Sequence, residues 1–155
     1  MHALTMQSCS VEKKQHLCSC GLTKPKLIIS WLCRLGVAAI LAQTLFFKFT
    51  YAPETQVIFG PLGGRPAATM VGIMELLAVI LLLIPRTVAY GALLALGTIG
   101  GAIVSHLTWL GFVIVNPSTG QGDGGLLFGL ALIVALGSSM LVLIHRKTLL
   151  QWIKR

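Results

Sequence analysis

AATMVGIMELLAVILLLIP, residues Ala67–Pro85, decides the fold. It is an unbroken apolar run with one carboxylic acid, Glu75, near its middle. At 1.5 Å per residue such a helix reaches about 28 Å, close to the hydrocarbon thickness of a bilayer. Proline and arginine follow it, so the helix must stop there. Outward from this stretch, three further segments have the same character.

Leu27–Phe47 forms the first apolar run, Ala67–Ile84 the second, Val88 to about Val115 the third and Gly125–Ile144 the fourth. Lys48–Pro66 between the first two holds Pro53, Pro61, Gly63, Gly64 and Pro66, which break any spanning helix. Tyr51, Ile58 and Phe59 suit this loop to the membrane interface. Pro85-Arg86-Thr87 is a tight turn, and Asn116–Gly124 (NPSTGQGDG) a Gly-rich polar one. The expected architecture is an all-α bundle of four transmembrane helices over 27–146. A disordered tail, 1–26, precedes it and a basic tail, 147–155, follows.

Composition agrees. The 155 residues are 55% hydrophobic and only 10% charged, against about 25% charged in an ordinary soluble domain. Such a chain lacks the polar residues to coat a water-soluble surface. The formal charge of +8 does not point to nucleic acid, because the bases flank the spans. Lys13, Lys14, Lys24, Lys26, Arg86, Arg146, Lys147, Lys154 and Arg155 fall on one side of a four-span topology. Only Lys48 and Arg65 fall on the other. The positive-inside rule puts both termini in the cytoplasm of an inner-membrane protein. Arg34, about two turns inside the first run, is within snorkelling reach of the headgroups.

Of four cysteines, Cys9, Cys18 and Cys20 lie in the polar tail and Cys33 just inside the first run, so no disulfide framework is expected. His16-Leu17-Cys18-Ser19-Cys20 has no second ligand pair, and no metal site is assigned.

Ionisable groups within the spans carry the chemical interest, since lipid has no water to satisfy them. Glu75 lies nine residues from Pro66 and His106 nine from Val115, each about 13 Å from the outer face. Ala68, Gly72 and Glu75 share one helix side; Gly91, Ala95, Thr98, Ala102, Ser105 and His106 share another, so both ionisable residues should face inward. Gly97 and Gly101, on the opposite face of the third span, and Gly125 and Gly129, on the fourth, are expected at helix–helix contacts. Glu75 and His106 are the candidate catalytic pair, suited to handling protons for a quinone; the alternative is a buried polar pair that fixes packing. Gln43 is a candidate third partner, and Lys48 and Asp123 stand at the outer ends of the first and fourth spans.

The chain resembles the DoxX family of small four-helix bacterial membrane proteins. The resemblance rests on FFKFT (Phe46–Thr50), GIMELLAVILLLIPRT (Gly72–Thr87), GALLALGTIGGAIVSHLT (Gly91–Thr108) and GDGG (Gly122–Gly125), and covers about Leu27–Arg146. It implies a membrane subunit supporting quinone-linked electron transfer or redox homeostasis, working with a redox partner subunit. Lys48, Glu75, His106 and Asp123 fall in that family's recurring polar places. A small proton-coupled transporter and a non-catalytic assembly factor are the competing classes, and self-association fits any of them. For the topology, alkaline phosphatase fused after Arg155 is expected to be inactive in cells, and an active fusion would invert the assignment.

Overall fold

The computed structural model describes residues 24–117 and 119–153. The N-terminal tail up to residue 23, with its His16–Cys20 cluster, lies outside them. Among the described residues five α-helices form: α1 (Lys24–Thr50), α2 (Pro53–Phe59), α3 (Gly64–Leu83), α4 (Val88–Ser105) and α5 (Leu126–Ile153). A 3₁₀ turn, Gly60–Leu62, joins α2 to α3, and a π-helical turn, His106–Leu110, extends α4. Among the described residues no strand forms; Val115 and Gly122 share a single antiparallel bridge. Four segments are long and apolar enough to cross a membrane: Pro25–Thr50, Gly64–Leu83, Val88–Leu110 and Leu126–Arg146. The protein is thus an all-α chain with four candidate spans. It divides into two compact units, 1–31 and 32–155. The described part of the first is the opening two turns of α1, and the structural account below concerns the second.

Buried residues of α1 follow a helical stripe: Arg34, Val37, Leu41 and Leu45, spaced so that all lie on one face. They meet a core of Ala78 and Leu82 from α3, Val88, Ala92, Ala95 and Ile99 from α4, and Ala131, Val134 and Leu141 from α5. Helix α4 is the centre, packed closely on both α3 and α5. Gly91 permits the α3–α4 approach: a Cβ there would lie 2.7 Å from the Leu82 amide nitrogen and 2.9 Å from the Leu81 carbonyl carbon. Helix α1 reaches α5 at Gly137, where a Cβ would stand 2.7 Å from Val37 Cγ2.

Arg34 does not snorkel. It is buried, and it caps α3: Nε donates to the Leu82 carbonyl at 2.6 Å and a terminal nitrogen to that of Leu83 at 2.8 Å. Thr87 Oγ1 donates to Leu81 at 2.9 Å. The last carbonyls of a helix have no intrahelical donor and carry its negative dipole end. A guanidinium held among them is better placed here than on a long path to the headgroups.

Several boundaries differ from the sequence reading: α1 begins at Lys24, inside the expected tail, and α3 at Gly64. The first loop contains a helix, because Pro53 at the first position of α2 loses no hydrogen bond and pre-sets φ. Pro66, in the first turn of α3, is tolerated for the same reason. The third span ends at Leu110 rather than Val115. Gly111 adopts φ +73°, which stops the helix, and the chain then turns back through the Val115–Gly122 bridge. The fourth helix continues through the supposed C-terminal tail to Ile153.

Gly91→Ala forces a methyl into α3 backbone and is expected to cost about 1–3 kcal/mol. Gly97→Ala, where a Cβ meets nothing within 4 Å, is expected to cost nothing. Thermal unfolding in detergent, followed by circular dichroism, compares the two.

Candidate functional site

Glu75 lies on the inner face of α3 and is 3% exposed. Its partner is Lys48, in the last turn of α1. Lys48 Nζ donates to both carboxylate oxygens, at 2.7 and 2.6 Å. Thr44 Oγ1, one turn earlier on α1, lies 3.2 Å from Glu75 Oε2 and shares its single proton with the Leu41 carbonyl at 2.9 Å. The lysine stem passes Gly72, where an added Cβ would touch Lys48 Cβ at 3.7 Å. A side chain at 72 larger than alanine would obstruct that path. The ammonium thus reaches one helical turn deeper than its own backbone.

A closed helix end holds this lysine in place. The Tyr51 amide donates to the Lys48 carbonyl at 3.3 Å and the Ala52 amide to that of Phe47 at 3.0 Å. This is the Schellman pattern, with Tyr51 in the left-handed position (φ +54°) that glycine ordinarily fills.

Around the ion pair opens a cavity of about 620 Å³. Its wall is mainly apolar, including Leu41, Met74, Ile99 and Leu130, with Ile58 and Phe59 contributed by α2. Lys48, Glu75, Thr44, Thr98, Ser105 and His106 are its polar lining residues. Gly97 and Gly101 also line it, and a Cβ on either would meet nothing within 4 Å. Those glycines widen the cavity; they do not seat a neighbouring helix. A Cβ on Gly129 likewise meets nothing within 4 Å.

His106 lines the same cavity but does not bond to Glu75. It is 5% exposed, and Nδ1 lies 2.7 Å from the Gly111 carbonyl oxygen. Phe128 meets the ring edge-on at a centroid distance of 5.4 Å, and Phe112 meets Phe128 at 5.0 Å. Because the span ends at Leu110, His106 sits about 6 Å along the helix from that end rather than about 13 Å.

Asp123 and Gln43 are placed differently from the sequence reading. Asp123 Oδ1 accepts from the Ile114 amide at 2.8 Å and that of Gly125 at 3.1 Å; Oδ2 accepts from Leu127 at 3.0 Å. Burial pushes its carboxyl up, but the Leu127, Ile114 and Gly125 amides together outweigh that and hold it below the usual carboxylate value. Asp123 ties the loop after Leu110 to the start of α5 and is not among the residues lining the cavity. Gln43 is exposed on α1, and Thr44 occupies the position facing Glu75. Glu54 of α2, not singled out from sequence, accepts from Asn116 Nδ2 at 2.6 Å and ties α2 to the loop after Leu110. Thr44 was legible: it continues the Arg34–Val37–Leu41–Lys48 stripe at helical spacing, and Gln43 does not. Among the described residues no group of three His, Cys, Asp or Glu gathers that would hold a metal ion.

No protein-family model, no curated protein and no solved structure matches this chain.

Lys48→Ala strands a buried carboxylate and is expected to lower stability by about 3–5 kcal/mol. Lys48→Met combined with Glu75→Gln, which removes both charges, is expected to recover most of the loss. Denaturation midpoints of the two variants in one detergent test this.

Proposed function

We propose that this is a multi-pass inner-membrane protein, both termini cytoplasmic, that binds a quinone and supports quinone-linked electron transfer. The observation carrying the reading is the cavity: a mainly apolar chamber whose ionisable lining groups are a lysine–glutamate pair and a histidine. An amphipathic ring fits such a lining, with the ring and its tail against apolar wall and its oxygens toward polar groups. Lys48 has three ammonium protons, and two are directed at Glu75. The third is available to an oxygen acceptor. His106 and Glu75 are groups able to exchange protons where an aromatic oxygen would gain or lose them.

The resemblance to DoxX proteins read from the sequence is in keeping with the same reading, in which a partner redox subunit supplies the electrons. Two electrons and two protons convert a quinone to its quinol. The residues of this chain hold the headgroup and the protons. The structural alternative, a polar pair that only fixes packing, accounts for the ion pair but not for a chamber kept open by Gly97 and Gly101 beside it.

The test is co-purification. Protein extracted in detergent with native lipid is expected to carry a quinone, detected by chromatography of an organic extract. Gly101→Leu, which fills the chamber, is expected to lose the quinone with little change in melting temperature. Wild-type protein without quinone, together with a pH-dependent solute flux in liposomes, would favour a transporter instead.

A further inference from the structure

The hydrogen bond at His106 has a consequence for which redox form the cavity holds. A backbone carbonyl can only accept, so the 2.7 Å contact between His106 Nδ1 and the Gly111 oxygen places a proton on Nδ1. In the neutral imidazole, Nε2 is then an acceptor. No described residue donates to Nε2, while the ring itself is 5% exposed and lines the cavity. Two further constraints keep the ring from turning over. Phe128 packs on it edge-on, braced by Phe112, and Gly111 itself is held at the positive φ that ends the π-helical turn.

Resting on the quinone-binding reading above, we infer that the cavity is built for the reduced ligand: a lipid-soluble hydroquinone whose phenolic O–H donates to His106 Nε2. An acceptor in the lining of a mainly apolar cavity distinguishes ligands sharply. A hydroquinone supplies the missing donor. The oxidised quinone presents only carbonyl oxygens, so its oxygen would face the Nε2 lone pair and leave both unsatisfied. Lys48 supplies the complementary group, an N–H donor that either redox form accepts. The Lys48–Glu75 pair therefore sets affinity for the ring, and His106 sets the preference between its two forms.

The experiment measures binding of a short-chain benzoquinol and of the matching benzoquinone to detergent-purified full-length protein, the quinol under anaerobic conditions. The wild type is expected to bind the quinol about tenfold more tightly, the discrimination of one well-made buried hydrogen bond. His106→Asn keeps an amide N–H near the Nδ1 position, able to reach Gly111, but removes the Nε2 acceptor. It is expected to bring the two affinities together, chiefly by weakening quinol binding, with the melting temperature near wild type. His106→Ala, read alongside, reports the cost of losing the Gly111 bond as well. Equal or tighter binding of the quinone by the wild type would overturn the inference and leave the cavity reading intact. Binding of neither form would overturn both.

Discussion

A lysine and a glutamate that meet inside a bilayer-sized bundle set the terms for everything around them. Transfer of either charge alone into a low-dielectric interior costs several kcal/mol or more. Together they are neutral as a unit, and both carboxylate oxygens receive the ammonium. That pairing explains why α3 can carry an acid at its middle. It also explains why Lys48 turns inward at the C-terminal end of α1, where an unpaired lysine would turn to water. Gly72 leaves space for the stem and Tyr51 closes the helix that presents it.

A second cation works at the other end of the same helix. Arg34 bonds the carbonyls that end α3, so α1 is fastened to α3 at two places by side chains rather than by close backbone approach. The α3–α4 pair shows the opposite solution, with Gly91 letting backbones touch. The difference has a functional result. Helices held apart by long polar side chains leave volume between them, and the cavity lies where α1 meets α3, α4 and α5. The pair that stabilises the bundle is thereby also exposed to whatever occupies that volume.

Around the loop that follows Leu110, the polar residues divide into two sets. Asp123 accepts from three backbone amides and Glu54 from Asn116, so both serve the loop architecture. His106 uses one nitrogen on the loop and keeps the other for the cavity. Sequence reading set Asp123 beside Lys48 at the span ends, and grouped it with His106 only through the family resemblance. Their roles separate only when hydrogen-bond partners are known, since a carboxylate with its lone pairs occupied by the backbone has little left to offer a ligand.

Hydrophobic runs and charge placement were enough, without coordinates, for the all-α class, the four spans, the turn at Pro85 and the inward face of Glu75. Those properties depend on residues close together in the chain: hydropathy sums along a segment, and helical periodicity sorts its faces. The partner of Glu75 was not available that way. Depth along the spans suggested His106, but that estimate assumed a helix continuing to Val115, and a single glycine at positive φ ends it at Leu110. Lys48 was assigned to the interface because a lysine's reach and rotation relative to another helix cannot be measured along one chain. Tertiary packing decided that Lys48 meets Glu75, that Thr44 rather than Gln43 stands beside them, and that Gly97 and Gly101 border open volume. Each is a matter of distance between segments far apart in sequence, which only the folded arrangement of the helices sets.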